Sequence, residues 1–192
     1  YFKGQMFPDE EEIQRVNPFD WQRAFPHVFA AGGFDAVIGN PPYGAILQEK
    51  DFDYMSFEFT TFKGLKDVYV SFIELASKIL RKGGLFSYIV PSSWLGGTAY
   101  QELRNFLLNY QINNIVLLPF DVFIDAYIDT LIFVASAQIP HPNHIVCTYE
   151  YPKKFKISTI EIDKYSEVEQ ATWGLTDGQK FILSFEVVKL LN

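Results

Sequence analysis

The chain shows a series of short apolar runs, each stopped by glycine or proline. Ala36–Ile38 and Leu85–Val90 are such runs and predict buried strands. Between them, apolar residues recur every three or four positions from Val68 to Leu80, and Lys82–Gly84 supplies a cationic, glycine-terminated end. The pattern predicts a parallel βαβ unit, with a strand over 34–38, a helix over 68–81 and a strand over 85–90. The predicted core face of this helix comprises Val68, Phe72, Leu75, Ala76, Ile79 and Leu80.

The remaining periodicity predicts a second helix and an antiparallel pair of strands. Leu103, Phe106 and Leu107 mark the core face of a helix over 99–109. Two further apolar runs, separated by a long loop, predict a hairpin at the edge of the sheet. The predicted strands of the hairpin are 112–118 and 130–137, followed by possible short strands at 145–151 and 155–162 and a helix over 178–191. Residues 44–66 are polar, aromatic and poorly periodic, which is typical of a surface loop.

Composition narrows the class of protein. At 192 residues and 48% hydrophobic, the chain can bury one well-packed core. It has no apolar run of about 18 residues and no signal-like start, so neither a membrane span nor export is expected. Its single cysteine, Cys147, excludes an internal disulfide and is compatible with a reducing cytoplasm.

The net charge of −7 bears on possible partners. Residues 1–150 carry 10 Lys and Arg against 17 Asp and Glu, whereas residues 151–192 carry 6 of each kind. Because contacts with nucleic-acid phosphates need clustered Lys and Arg, this chain is expected to bind duplex DNA weakly by itself. The charge indicates a missing partner domain if the ligand is DNA.

The most specific chemistry lies in the stretch Phe34–Gly44, FDAVIGNPPYG. Proline is restrictive for the residue before it, and each proline ring fixes its own φ, so Asn40 to Tyr43 form a stiff turn directly after a strand. The Asn40 amide and the Pro41 carbonyl offer two acceptors beside the Tyr43 ring. A planar exocyclic amine could donate one hydrogen bond to each acceptor while its ring stacks on Tyr43, and no ionisable base is required.

Asn-Pro-Pro-Tyr at a strand end resembles the catalytic motif of S-adenosylmethionine-dependent amino-methyltransferases. The chain is similar to the adenine-N6 DNA methyltransferases of restriction-modification systems, in particular the large single-chain restriction-methylation enzymes. The similarity covers an ordered series of segments that surround this motif. They read FDW at 19–21, FPHVF at 25–29, GGFDAVIGNPPYG at 32–44, KDVYVSFIELASKILRKGG at 66–84, LFSYIVPSSWL at 85–95 and VFIDAYIDTLIF at 122–133.

The resemblance implies specific residue roles. Asn40, Pro41, Pro42 and Tyr43 would be catalytic, and Tyr43 and Phe123 would stack on the two faces of an adenine flipped out of duplex DNA. S-adenosylmethionine would be the cofactor, and Asp67 matches a family position on the cofactor side, although a helix N-cap is equally expected there. No metal is expected, since acids such as Asp121, Asp125 and Asp129 on a surface loop are usually solvated.

The resemblance also sets the expected organisation. The family needs a glycine-rich turn after the first strand and an acid after the second, and neither Gly32-Gly33 nor Gly96-Gly97 has that context. The predicted fold is therefore the C-terminal part of an α/β, Rossmann-like class I methyltransferase domain with a mixed sheet, truncated before the cofactor-binding half. Residues 1–150 would form a partial catalytic domain and 151–192 a connection towards a target-recognition domain. The partners would be double-stranded DNA and the remainder of the parent polypeptide.

Two other functions remain open from the sequence. Methyltransferases that act on a protein glutamine, or on the amine of an RNA base, present the same planar nitrogen to the same acceptors. A catalytically silent module kept for DNA binding or assembly is the alternative from another class. The intact Asn40–Tyr43 series favours an enzyme over a silent module.

Overall fold

The computed structural model describes residues 19–45, 47–63, 67–120, 122–123, 128–154 and 165–184. The helices are α1 Trp21–Ala24, α2 Pro26–Ala30, α3 Glu49–Glu58, α4 Val68–Ile79, α5 Gln101–Leu107 and α6 Gln170–Trp173, with 3₁₀ turns at Thr61–Lys63, Ser92–Leu95, Thr98–Tyr100 and Asp177–Gln179. The strands are β1 Phe34–Gly39, β2 Leu80–Pro91, β3 Gln111–Leu117, β4 Thr130–Ser136, β5 Ile145–Glu150 and β6 Ser166–Glu169. No helix in these ranges is long and apolar enough to cross a membrane.

The six strands form one mixed sheet in the order β1-β2-β4-β3-β5-β6. β1 runs parallel to β2, with Ile38 opposite Ser87, so the predicted βαβ unit with α4 as its crossover is present. β4 lies antiparallel between β2 and β3, which is the predicted hairpin. Because β5 pairs with β3 and β6 pairs with β5, the sheet continues beyond this hairpin, so the prediction that the hairpin lies at the edge of the sheet is wrong.

Helix α4 is held on the sheet by a strongly apolar face. Tyr69, Val70, Ile73 and Ala76 are at most 1% exposed. Phe72, which the pattern assigned to the core face, is 38% exposed, so that assignment was wrong. Val68, Ala76, Ile79 and Leu80 are buried as predicted. A helix that is apolar almost all round does not reveal by periodicity alone the limits of the stripe that faces the sheet.

The sheet has two unequal faces. The larger core lies on the side of α4 and α5 and includes Phe86, which is opposite Val37 on β1. The other face carries a smaller cluster of Val116, Leu118 and Tyr151. Near β1 this second face is open, since Ile38 is 85% exposed. The prediction that Ala36–Ile38 is a buried strand is therefore wrong for one of its two faces.

Several weaker predictions can be compared with the described residues. Residues 180–184 have no helical structure, so the predicted helix over 178–191 is wrong there. Residues 185–191 of that helix and the predicted strand over 155–162 lie outside the described residues.

Helix α3 and strand β6 were not predicted. Val168, Trp173 and Phe181 are buried in the main core, so residues 165–184 pack with the sheet. The domain division after residue 150 stays a prediction.

Candidate active site

Three segments meet at the edge of the sheet that is formed by the carboxyl ends of strands β1 and β2. Because β1 and β2 are parallel, the segments that follow them, starting at Asn40 and Ser92, leave the sheet at the same end. The antiparallel strand β4 starts at this end, with Thr130 opposite Pro91. The amide of Ser92 donates to the Asp129 carbonyl at 2.8 Å and joins the second segment to the third. This convergence is the arrangement that the predicted βαβ unit required, since ligands of such sheets bind beyond the carboxyl ends of the strands.

The Asn40–Tyr43 turn is anchored by its apolar parts and leaves its polar group outside. Pro41 is buried, while Asn40 and Pro42 are exposed. Tyr43 is half-buried and packs against the main core. The side chain of Asn40 makes no hydrogen bond with any other described residue. Its amide oxygen therefore remains available as an acceptor at the edge of the sheet.

The rings of Tyr43 and Phe123, which the resemblance assigns to base stacking, contact each other in the structure. Their ring centroids lie 6.5 Å apart and their planes are inclined by 72°. A flat ring sandwiched between two others needs parallel rings about 7 Å apart, which is twice the 3.4 Å spacing of stacked bases. Since the two rings contact each other edge to face, they would have to separate and rotate before a base could lie between them.

Asp67 contacts the end of this turn. Both of its carboxylate oxygens, Oδ1 and Oδ2, accept from the Gly44 amide at 3.2 Å. Asp67 is the N-cap residue of α4, but its side chain makes no capping hydrogen bond to that helix. The sequence left Asp67 open between a cofactor contact and a helix cap. In the structure its carboxylate engages the backbone of the candidate catalytic turn.

Tyr69 is the second residue of α4 and is fully buried. Burial raises the pKa of the Tyr69 phenol, and the neighbouring Tyr100 and the negative charge of Asp67 raise it further. The hydroxyl of Ser93 donates to the hydroxyl of Tyr100 at 3.1 Å. The Tyr69 phenol, whose pKa is raised, therefore stays neutral at neutral pH.

A buried arginine supports the segment after β2. Arg104 on α5 is 1% exposed, and its Nη1 donates to the carbonyls of Trp94 and Gly97, each at 2.7 Å. Its Nε donates to the carbonyl of Gly178 at 2.9 Å. Burial lowers the pKa of Arg104, but an arginine stays protonated at neutral pH. One guanidinium thus ties the segment after β2 to the C-terminal part of the described chain.

A buried carboxylate holds the segment between α3 and α4. Glu74 is 4% exposed and accepts from the amide and the hydroxyl of Thr61, at 3.0 and 2.9 Å. Lys78 lies 3.2 Å from the other oxygen of Glu74. Burial alone would raise the pKa of Glu74, but the hydrogen bonds from Thr61 and the charge of Lys78 outweigh it and lower the pKa.

The sequence did not single out Arg104 or Glu74. Each stands inside an apolar helical pattern, and its partners are backbone groups that no local pattern locates. A charged residue on the apolar stripe of a helix is the one signal that could have drawn attention to either.

Of the three acids considered for a metal, Asp129 is exposed, whereas Asp121 and Asp125 lie outside the described residues.

The glycine pairs have structural roles in place of the family's cofactor turn. Gly33 precedes β1 with φ +123°, and an added Cβ would lie 2.6 Å from the Ile79 carbonyl oxygen. The carbonyl of Gly97 accepts from Arg104. The Asp67 carboxylate likewise has a structural partner, the Gly44 amide.

Fold and site together define a class of protein. A sheet in which a parallel βαβ unit is followed by an inserted antiparallel strand, with an Asn-Pro-Pro-Tyr turn after β1, has the fold of the C-terminal part of a class I methyltransferase-type α/β domain. The methyltransferase subunit of a type I restriction-modification system from Streptococcus thermophilus superimposes with a TM-score of 0.59. That similarity extends over 79% of this chain and 38% of the subunit, at 20% identity, and it shows the fold alone.

The Eco57I restriction-modification methylase family matches residues 3–123, and the chain belongs to this family. It is 36% identical, over 155 residues, to a protein of Methanocaldococcus jannaschii that is named as a type II restriction enzyme and methyltransferase. The aligned part is 80% of this chain and 13% of that protein. A type II methyltransferase of Thermus thermophilus is 32% identical over 83 residues, which are 38% of this chain and 19% of that enzyme. The chain thus spans a small part of the length of these relatives.

Proposed function

We propose that this chain is the catalytic part of an adenine-N6 DNA methyltransferase in a restriction-modification enzyme. The observation that carries the proposal is the pairing of Tyr43 with Phe123 beside the exposed amide of Asn40. Membership of a restriction-modification methylase family supports a methyltransferase acting on DNA. The choice of adenine N6 rests on the resemblance of the Asn40–Tyr43 motif.

The chain's own residues would act by holding the target amine. The amide oxygen of Asn40 and the carbonyl of Pro41 would each accept one hydrogen from the exocyclic amine. Two such bonds keep the lone pair of the nitrogen from delocalising into the ring, so the amine becomes more nucleophilic without an ionisable base. Tyr43 and Phe123 would hold the flipped base between them, and positioning would supply most of the rate.

S-adenosylmethionine would supply the methyl group when bound. We propose that most of its binding site lies in the remainder of a parent polypeptide, because neither Gly32-Gly33 nor Gly96-Gly97 has the sequence context of the family's cofactor turn. The length of the relatives supports this proposal, because the aligned part is 13% of the Methanocaldococcus jannaschii protein. The exposure of Ile38 on the open face of the sheet also supports it, since sheets of this kind bury both faces.

The proposed partners follow from the same function. Double-stranded DNA with a flipped adenine would be the substrate, and residues 151–192 would lead towards a target-recognition domain. The net charge of −7 is a reason to expect that most phosphate contacts come from that domain. Because its DNA substrate lies in the cytoplasm, the proposal places the enzyme there.

Replacing Asn40 by Ala in the intact enzyme tests the proposal. We expect the rate of DNA methylation to fall by at least about a hundredfold, because the target amine loses a fixed hydrogen-bond partner. The affinity for S-adenosylmethionine should stay unchanged, since Asn40 acts on the amine. The measurement is transfer of labelled methyl to DNA, together with calorimetric titration of the cofactor.

Asn143→Ala is the matched control, because Asn143 is also an exposed loop asparagine but lies outside the candidate site. Retained turnover of the Asn40→Ala enzyme would contradict the proposed role. RNA and a glutamine-containing peptide should be assayed in parallel with DNA. Methylation of either one without methylation of DNA would replace the proposed substrate. DNA binding without any methylation by the wild-type enzyme would favour a silent module.

A further inference from the structure

Asp67 is placed to act on the candidate catalytic turn through the backbone of Gly44. Its two carboxylate oxygens lie at equal distances, 3.2 Å, from the Gly44 nitrogen. Gly44 directly follows Tyr43, so this contact fixes the turn at its C-terminal end. Gly44 has φ +68° and nothing within 4 Å of an added Cβ, so glycine is required there by backbone conformation and not by space.

The backbone of Asp67 is held in place at the start of helix α4. Asp67 precedes α4, whose first buried residues, Tyr69 and Val70, are at most 1% exposed. An Asp at the N-cap ordinarily accepts from an amide in the first turn of its own helix. The Asp67 side chain makes no such bond, and the nearby Val70 amide instead reaches the Asp67 backbone carbonyl at 3.3 Å. The carboxylate is thereby directed away from its helix and towards the turn.

The turn is consequently held at two points, and a residue between them is exposed. Pro41 is buried at one end, and the Gly44 amide is held by Asp67 at the other. Pro42, between them, is exposed, and Tyr43 is half-buried. A hydrogen bond to a charged acceptor is among the stronger ones in proteins, so it restrains the position of the Tyr43 ring.

We infer that Asp67 is a positioning residue that fixes the Asn40–Gly44 turn, and that it acts through Gly44 without touching the base. This inference rests on the proposed function for its catalytic consequence. The hydrogen bond itself can be tested without any methyl transfer. The competing role is direct cofactor binding by the Asp67 carboxylate, which the same experiment distinguishes.

The first measurement uses this chain labelled with ¹⁵N-glycine, and compares the wild type with Asp67→Ala, Asp67→Asn and Asp67→Glu. We expect the Gly44 amide to exchange with solvent about ten- to a hundredfold faster in Asp67→Ala, and by a smaller factor in Asp67→Asn, which retains one oxygen acceptor. Asp53→Asn, an exposed carboxylate on α3, is the matched control and should change nothing. An unchanged Gly44 exchange rate in Asp67→Ala would overturn the inference.

The second measurement uses the intact enzyme at saturating DNA and cofactor. We expect Asp67→Ala to lower kcat by about tenfold or more with the Kd for S-adenosylmethionine unchanged, and Asp67→Asn to recover part of the loss. A raised cofactor Kd with an unchanged kcat would assign Asp67 to cofactor binding and overturn the positioning role. If the wild-type enzyme methylates no DNA, the proposed function fails, and the amide exchange still decides whether the hydrogen bond exists.

Discussion

At the scale of single residues, the charged groups of this chain that are buried stabilise backbone positions. Glu74 holds Thr61 and Arg104 holds three carbonyls, so neither faces a ligand. Burying an ionised group is costly unless hydrogen bonds replace its hydration, and both residues meet that condition. Charges of this kind set the pH range in which the structure is stable.

We expect Glu74→Gln to lose stability at neutral pH, by about 1–2 kcal/mol, because a neutral amide replaces a hydrogen-bonded carboxylate. The pKa of Glu74 is lower in the folded than in the unfolded state, so the ionised group stabilises the fold above the usual value of 4.5. This contribution disappears as the pH falls through the lowered folded pKa. The difference between wild type and variant should therefore shrink in acid.

Urea unfolding at neutral pH and well below 4.5 measures this difference. Glu58→Gln is the control, because Glu58 also lies near Lys78, at 3.8 Å, but its side chain is 44% exposed. It should change stability by less than about 0.5 kcal/mol at either pH. A difference between wild type and Glu74→Gln that does not depend on pH would contradict the assigned role of the charge.

At the scale of elements, α5 connects two segments that are distant in the sequence. Arg104 contacts Trp94 and Gly97 on one side and Gly178 on the other. The fork of the guanidinium reaches several acceptors at once, which an ammonium group on a flexible stem does not. Arg104 therefore contributes to the position of the segment after β2, at the edge of the candidate site.

Arg104→Lys and Arg104→Ala should each lower the free energy of unfolding, and Ala should lower it by at least about 2 kcal/mol, since three carbonyls lose their donor. Glu102→Ala, an exposed change in the same helix, should cost less than about 0.5 kcal/mol. Denaturant unfolding followed by circular dichroism measures both. An Arg104→Lys chain as stable as the wild type would show that the fork geometry is unimportant.

The elements also show what the sequence could and could not predict. The strands β1 to β4 and helix α4 were predictable because their apolar runs are strong, and β1, β2 and α4 end at or near glycine or proline. Helix α3 was missed because few of its residues are apolar at helical spacing. The helix has only a signal for its first turn, since the Asp51 carboxylate accepts from the Gln48 amide at 3.4 Å. The residues that meet in the site could be named, but the bond of Asp67 to Gly44 could not, because the two are 23 positions apart.

At the scale of the whole molecule, the sheet is covered on one face and partly open on the other. Ile38 is 85% and Leu85 44% exposed, and both lie on the open face because Ala36 is opposite Leu85. Contiguous apolar surface of this kind marks a place where another chain or segment packs. By itself the chain should therefore bind apolar probes on this face.

We expect Ile38→Thr to reduce the binding of the fluorescent probe ANS and any self-association of the isolated chain. Its stability should stay within about 0.5 kcal/mol of the wild type, because an exposed side chain buries little area. Val37→Thr is the control on the adjacent position, since Val37 packs against the main core and should lose stability instead. ANS fluorescence and sedimentation velocity measure the effect of Ile38→Thr on probe binding and self-association. Equal ANS binding by the wild type and by Ile38→Thr would contradict the prediction.

The edge-to-face contact of Tyr43 and Phe123 has a consequence for what can enter between them. Without a base, the two rings occupy each other's stacking space, and such a contact is worth about 0.5–1.5 kcal/mol. In the proposed function, a flipped base would have to separate the two rings before it could stack on both, and such stacking is worth about 1–3 kcal/mol per base. The contact between the two rings is thus an interaction that the proposed substrate has to replace.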